Sequence, residues 1–392
     1  MTDRLYYSDA YLTAFEARVV ARAEAGRRIY LDRSAFYPAS GGQPSDYGSL
    51  GGVPVLDVVD EDERVAHVLA SPFTGDTVDG TIDWARRFDH MQQHTGQHLL
   101  SAVFADLFGH ETASVHFGPE NATLDLATES VSAEQVLAAE ARTNEVVAED
   151  RAVTVSFEDA DAATGLRKPS ERGGMLRIVT IAGIDRSACG GTHVRTTGAI
   201  GPIFLRRQEK MRKQVRIEFL CGARAVRRAR ADYSVLAAMA SAASASIDEL
   251  GTIVPAQFEQ LRAAEGARRK LEEEVAGYRA RARWEATPAD ADGVRWIVER
   301  RATGGAEEVR AFALAVSNLP KTVYAALFDT PRSLLVASSA DSGVEAGKRV
   351  KDALSAAGGK GGGSPRLAQG SVPDAESLRS AWLALGFPVA LP

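Results

Sequence analysis

Residues 89–108 read Asp89-His90-Met91-Gln92-Gln93-His94-Thr95-Gly96-Gln97-His98-Leu99-Leu100-Ser101-Ala102-Val103-Phe104-Ala105-Asp106-Leu107-Phe108. Leu99, Leu100, Val103, Phe104 and Leu107 recur at helical spacing, and Gly109 supplies a stop. Within this predicted helix His94 and His98 stand four residues apart. Their imidazoles therefore share one face, about one turn from each other. Five of the seven histidines fall between His90 and His116. A second stretch, Cys189-Gly190-Gly191-Thr192-His193, follows a predicted strand, and its two glycines let side chains turn toward a common centre. Two histidines four apart are more often surface or core residues than ligands, and the glycine loop alone is as ambiguous. Together, in a chain with two cysteines, they make a three-His, one-Cys donor set of the kind zinc favours. The expectation is one zinc per chain, held by His94, His98, Cys189 and His193.

Upstream of the helix the period is two. Phe15–Val19, Arg28–Leu31, Val53–Val59, Val65–Leu69 and Thr77–Asp83 read as short strands separated by Gly and Pro, so residues 1–88 predict a β-rich, barrel-like segment. Downstream, Glu111–Phe117 and Ala122–Leu126 alternate as strands. Ser132 and Gln135 form a capping-box signature for a helix to about Glu149. Val153–Phe157, Leu176–Ile181, Pro202–Leu205 and Val215–Phe219 complete an α+β domain over 89–221. On the strand after the zinc helix, Thr112, Ser114 and His116 project to one face. That face is either a pocket bordering the metal or a solvated surface.

After Cys221 the composition turns to Ala, Arg and Glu. Phe258, Leu261, Leu271, Val275 and Tyr278 recur at loosely heptad intervals, so 222–288 predicts a helical, coiled-coil-like arm. Strand and helix patterns then alternate from Val294 to Leu385, predicting a small α/β domain over 289–392. Its Gly358–Gly363 run lacks the Lys-Ser/Thr end of a P-loop, so a nucleotide site is not expected there, and the run reads as flexible backbone that contacts RNA or as a plain loop.

The chain has 392 residues, 45% apolar and 25% charged, which is ordinary globular composition. No stretch approaches the ~20 apolar residues of a membrane helix. The start Met1-Thr2-Asp3-Arg4 lacks a secretory pattern, and a cytoplasmic protein is expected. Cys189 and Cys221 cannot make a disulfide framework. Cys221 reads as a small buried residue. Net charge is −6, yet Arg206–Arg230 holds ten basic residues against Glu209 and Glu218. Such a run is either a solvated face or a phosphate-contacting patch.

Four motifs then converge: Gln93–Leu100, Cys189–His193, Phe36-Tyr37-Pro38-Ala39-Ser40-Gly41-Gly42-Gln43-Pro44-Ser45-Asp46-Tyr47-Gly48, and Gly359–Gly370. With these motifs in their chain order, the chain resembles the trans-editing proteins related to alanyl-tRNA synthetase, the AlaX group, in its long form. Two departures stand out. Ser364 replaces the usual Arg before Pro365, and Glu111–His116 resembles the free-standing editors rather than the synthetase.

The resemblance implies hydrolysis of the ester in wrongly charged tRNA(Ala), mainly seryl with glycyl as a second substrate. It implies that Gly41 and Gly42 bring backbone close to the amino acid. A homodimer would form through the arm or the C-terminal domain. The length leaves no room for an aminoacylation domain ahead of residue 1, so ATP-dependent charging is not expected. The alternative reading is a tRNA-binding protein with a purely structural zinc. A metallohydrolase of small esters fits less well, because it leaves the arm and the basic run without a purpose.

Overall fold

The structure is a computed structural model that describes residues 1–170 and 173–389. The chain divides into two compact units, Met1–Met239 and Ala240–Pro392.

In the first unit, eight strands fill the first 82 residues: β1 (Asp3–Arg4), β2 (Ala14–Ala23), β3 (Arg28–Leu31), β4 (Arg33–Ser34), β5 (Gly48–Leu50), β6 (Val53–Glu61), β7 (Arg64–Leu69) and β8 (Thr77–Ile82). Six of them pair in the order β2-β3-β7-β6-β5-β8, and β8 pairs back to β2 to close a barrel. Period-two alternation explains the closure: in β8, Val78, Gly80 and Ile82 are buried while Thr77, Asp79 and Thr81 are exposed. Ile29, Leu31, Phe36, Leu50, Val58 and Val65 fill the interior.

Helix α1 (Trp84–Phe108) follows directly. It begins five residues before the sequence-predicted start at Asp89. The cause is Asp83, which the period-two reading assigns to a strand. It instead caps the helix by accepting from the Arg86 N–H at 3.2 Å. Gly109 ends the helix at φ 68°. Every residue from His90 to Phe104 is buried, so α1 is enclosed on all sides rather than along one stripe.

The surrounding elements are β9 (Thr112–Phe117), β10 (Ala122–Leu126), α2 (Ala133–Ala148), β11 (Val153–Asp159), β12 (Met175–Ile181), β13 (Asp185–Ala188), β14 (Ile203–Lys210) and β15 (Val215–Cys221). They form a sheet ordered β14-β15-β10-β9 and a second ordered β11-β12-β13. The predicted capping box is present at Ser132 and Gln135. Polar residues on α1 are spent on backbone. The Gln93 carboxamide accepts from Cys221 N–H at 2.9 Å and donates to Cys221 O at 3.0 Å. A Cβ at Gly96 would stand 2.3 Å from Cys221 Sγ, so glycine there lets α1 lie directly on β15. Cys221 is buried, as expected.

α3 (Ala223–Ala242) leads out of this unit. The second unit holds α4 (Leu250–Ala286), β16 (Arg295–Arg301), α5 (Ala306–Ser317), β17 (Thr322–Asp329), β18 (Arg332–Ser338), α6 (Ala346–Ala356), β19 (Lys360–Ser364), β20 (Leu367–Ser371) and α7 (Ala375–Leu385). The heptad positions Phe258, Leu261, Leu271, Val275 and Tyr278 are all exposed. α4 instead packs through Ala280 against Val309, Ala313 and Val316.

The sheet runs β16-β17-β18-β20-β19, and only β16 and β17 are parallel. The α/β expectation is therefore corrected to a mixed, mainly antiparallel sheet. The physical reason is the short β17–β18 and β19–β20 connections, which antiparallel neighbours alone can use. The glycine run is also not all loop: from Lys360 onward it forms β19. Cβ atoms at Gly361 and Gly370 would stand 2.5 and 2.3 Å from Leu354 Cδ1, so glycine lets α6 approach the strands closely.

Candidate metal centre

α1 and the loop after β13 bring His94, His98, Cys189 and His193 together, with one ligand atom of each within 4.8 Å of every other. Cys189 Sγ lies 3.4 Å from His94 Nε2 and 3.3 Å from His193 Nε2. Tetrahedral zinc with bonds of ~2.1 Å to N and ~2.3 Å to S spaces such atoms by about 3.5 Å. The donor set and its spacing thus fit zinc. The three histidines are buried, while Cys189 is half-buried and marks the side open to solvent.

Each imidazole is held from behind. His94 Nδ1 donates to Gln43 Oε1 at 2.8 Å. His98 Nδ1 donates to Asp185 Oδ2 at 3.0 Å, and His193 Nδ1 shares a hydrogen bond with Thr95 Oγ1 at 3.1 Å. With each Nδ1 engaged in this way, each Nε2 is the nitrogen left to bind a metal. Asp185 is itself fixed by Arg167 Nε at 2.7 Å and Ser187 Oγ at 2.9 Å. Sequence reading singled out the four donors that the fold brings together and missed these three partners. Gln43 lies inside a quoted motif, but its distance in sequence from His94 gave no signal.

Burial pushes the Cys189 thiol up, but the neighbouring His94, His193 and His98 reverse this and hold it well below its ordinary value. A thiolate is the form a metal requires. Burial pushes His193 down to about 3. Burial also lowers His98, but Cys189 and Asp185 outweigh it and raise that histidine to about 9. The glycines of the loop differ in role. A Cβ at Gly191 would stand 2.1 Å from His94 Cε1, whereas one at Gly190 meets nothing nearer than Tyr7 Oη at 3.7 Å. Arg177 anchors the loop by donating to Cys189 O at 2.6 Å and to Tyr7 O at 3.0 Å.

The Gly41–Gly42 pair forms a two-residue turn, with φ of 55° and 87°. Ser40 N–H donates to Gln43 O at 3.1 Å and Gln43 N–H to Ser40 O at 3.0 Å. The turn lies on β9, since a Cβ at Gly42 would be 3.5 Å from Phe117 Cδ2. The Phe117 ring in turn lies 5.2 Å from that of His94.

Thr112, Ser114 and His116 do not share one face. The β9–β10 register pairs Ser114 with Asp125 but Thr112 with Leu126, so an extra residue, Ala113, reverses the alternation. Thr112 Oγ1 donates to Ser101 Oγ of α1 at 2.7 Å, and Gln97 Nε2 donates to the same oxygen at 2.8 Å. Ser114 Oγ donates instead to Asp125 Oδ2 at 2.6 Å, and Asp125 also holds Arg216. His116 is exposed.

The basic run divides in the same concrete way. Arg206, Arg216, Arg224 and Arg228 pair with Glu218, Asp125, Asp89 and Asp232. Arg207, Lys210, Arg212, Lys213, Arg227 and Arg230 make no ion pair among the described residues. Four of these lie on the exposed β14–β15 hairpin.

Residues 176–218 match the family profile described as threonyl and alanyl tRNA synthetase second additional domain. This span includes β12 from Leu176, β13, β14 and two of the four donors, Cys189 and His193. The alanyl-tRNA editing protein AlaX-L of Pyrococcus horikoshii is 30% identical over 396 residues, covering 95% of each chain. The chain belongs to the alanyl-tRNA editing proteins of the AlaX type. Aarsd1-B of Xenopus laevis, also named an alanyl-tRNA editing protein, is 37% identical over 53% of this chain, and the match spans 52% of its length. The chain thus spans about half the length of that curated relative. An alanine–tRNA ligase of Methanothrix thermoacetophila is 33% identical over 97% of this chain and 43% of its own length. Among the described residues no helix is long and apolar enough to cross a membrane.

Proposed function

We propose that the protein is a trans-acting deacylase that hydrolyses the ester of wrongly charged tRNA(Ala), seryl first and glycyl second, with one zinc held by His94, His98, Cys189 and His193. The observation that carries this reading is the convergence of those four donors in a chain whose relatives are named alanyl-tRNA editing proteins. Zinc at such a centre supplies Lewis acidity toward the ester carbonyl and lowers the pKa of a bound water. The chain's own residues do the rest. Gln43, Asp185 and Thr95 hold the imidazoles in register. The half-buried Cys189 side admits the acylated end of the tRNA. The unpaired hairpin residues Arg207, Lys210, Arg212 and Lys213 meet its phosphates.

Selectivity needs a hydrogen-bonding partner for the serine hydroxyl, because an apolar pocket separates such close analogues only ~10²-fold. Of the residues expected to line the pocket, Thr112 has the stronger support. It joins Gln97 and Ser101 in a polar group one turn beyond His98. Ser114 and His116 stand on the other side of β9, and Gly41–Gly42 serve the turn. In this reading residues 1–88 and 89–221 carry the chemistry. The arm, 222–288, and the C-terminal domain, 289–392, add tRNA affinity or dimerise the protein. Its place of action is the cytoplasm, where charged tRNA is used.

A second reading, a tRNA-binding protein with structural zinc, is favoured by one observation: four protein donors already complete a tetrahedral shell. Deacylation of alanyl-, seryl- and glycyl-tRNA(Ala) by the zinc-loaded protein decides. Seryl hydrolysis that disappears in His98→Ala supports the deacylase. Full zinc with no hydrolysis of any of the three at saturating tRNA selects the structural reading.

A further inference from the structure

We infer that Gln43 positions His94 for metal binding, acting as a latch between the barrel's Tyr37–Asp46 loop and both halves of the ligand set. The inference rests on the metal reading above. It turns on one buried carboxamide. Gln43 Oε1 accepts from His94 Nδ1 at 2.8 Å and from Thr192 N–H at 3.1 Å, while Nε2 donates to Thr192 Oγ1 at 2.8 Å. Two N–H donors converge on the oxygen, so the orientation of the amide is fixed by its partners. Thr192 sits between Gly191 and the ligand His193. One side chain therefore fixes a ligand of α1 and the backbone of the Cys189–His193 loop together.

The latch is itself held at a second point on the same helix. Arg87, two turns before His94, forms a fully buried ion pair with Asp46. Asp46 accepts from Tyr37 N–H at 2.6 Å, and its own N–H donates to Tyr37 O at 3.0 Å. Arg87 also donates to Ala10 O at 2.8 Å and Ala35 O at 2.6 Å. The loop between Tyr37 and Asp46 is thus pinned to α1 at both Arg87 and His94. The Ser40–Gln43 turn, with positive φ at Gly41 and Gly42, aims the carboxamide inward. This gives the glycine pair a purpose separate from contact with an amino acid: it delivers Gln43.

The test reads metal binding rather than catalysis. Zinc affinity of the full-length protein is measured by chelator competition, and Co²⁺ is used as a spectroscopic probe of the ligand field. Gln43→Leu removes both acceptor and donor and should weaken zinc 10- to 100-fold, the usual effect of losing an outer partner of a ligating histidine. It should also alter the Co²⁺ ligand-field bands. Gln43→Glu keeps an acceptor for His94 and Thr192 N–H, and Thr192 Oγ1 can donate back, so affinity should return to within a few-fold of wild type. Thr192→Val, which leaves Gln43 in place but frees its amide, should fall between them. Thermal unfolding of the metal-free forms separates a lost latch from a lost fold. Wild-type zinc affinity and Co²⁺ bands in a folded Gln43→Leu protein overturn the latch alone. A wild-type protein that takes up neither ion overturns the metal reading and the latch with it.

Discussion

Replacing Gly191 by alanine should empty the metal centre while leaving the fold standing, and the magnitude follows from two distances. The new methyl group would lie 2.1 Å from His94 Cε1 and 2.4 Å from His94 Nδ1. Carbon atoms in contact settle at ~3.5 Å or more, so the imidazole must retreat by roughly 1.4 Å. Metal–ligand bonds tolerate about 0.2 Å. The ring cannot absorb the shift by swinging aside, because Gln43 holds its Nδ1 at 2.8 Å and Phe117 lies against it. His94 is then lost as a ligand, and zinc affinity should drop at least ~10²-fold, the upper end of what losing an outer partner costs. Overpacking should add a stability loss of about 1–3 kcal/mol. Gly190→Ala is the internal control, since its methyl group meets only Tyr7 Oη at an ordinary 3.7 Å. Chelator competition on both variants, with thermal melting of the metal-free proteins, makes the comparison. Equal zinc affinities in Gly191→Ala, Gly190→Ala and wild type would refute the reasoning.

Three further outcomes are expected. Changing Arg207, Arg212 and Lys213 to Gln should flatten the dependence of log tRNA affinity on log salt by roughly one unit per lost phosphate contact. Arg216→Gln, whose charge already faces Asp125, should leave the slope unchanged in filter binding across salt concentrations. His67, buried in the barrel, is pushed down from 6.5 to about 4 by burial. Below pH 6.5 the unfolded chain takes a proton that the folded barrel refuses, so stability is fully present above that pH. It is lost toward pH 4 at up to ~1.4 kcal/mol per unit. His90 is pushed down to about 4 by burial as well. His67→Gln should therefore reduce, without abolishing, the slope of melting temperature against pH between 7 and 4.5. Thr112→Val should lower the seryl-over-alanyl ratio of kcat/KM by an amount worth about 1–3 kcal/mol, with Ser114→Ala changing it less. The opposite ranking would return the pocket to the Ser114 face.

What could be read from residues alone was set by local periodicity. The His94–His98 pair, the capping box at Ser132 and the Ala-Arg-Glu helices are short-range patterns, and the structure reproduces them. The donor cluster was also legible, because chemistry singled it out: few cysteines, clustered histidines, and a glycine loop. What escaped was long-range or depended on a single residue. Asp185 meets His98 from 87 residues away, and Gln43 meets His94 from 51. Neither distance leaves a trace in composition. Ala113 undid the alternation reading of β9, because one inserted residue reverses every side chain beyond it. Gly361 read as a loop glycine because the requirement it meets, close approach of Leu354, belongs to another element.

The enclosure of α1 has a consequence for biosynthesis. The barrel completes its hydrogen-bonded ring with Ile82, so it can close soon after that residue leaves the ribosome. α1 cannot follow at once. Its Gly96 face rests on Cys221, and its Gln93 carboxamide both accepts from and donates to the backbone of that same residue. Until β15 emerges, Leu99, Leu100, Val103 and Phe104 have no complete cover, and the four metal donors have no common wall. Such long sequence separations make closure slow. Bringing the four donors together is therefore a late event on the nascent chain. It follows the emergence of about 140 residues after the barrel's last strand, as the separation of Ile82 and Cys221 requires. Through that interval the apolar helix is the segment a chaperone would have to shield.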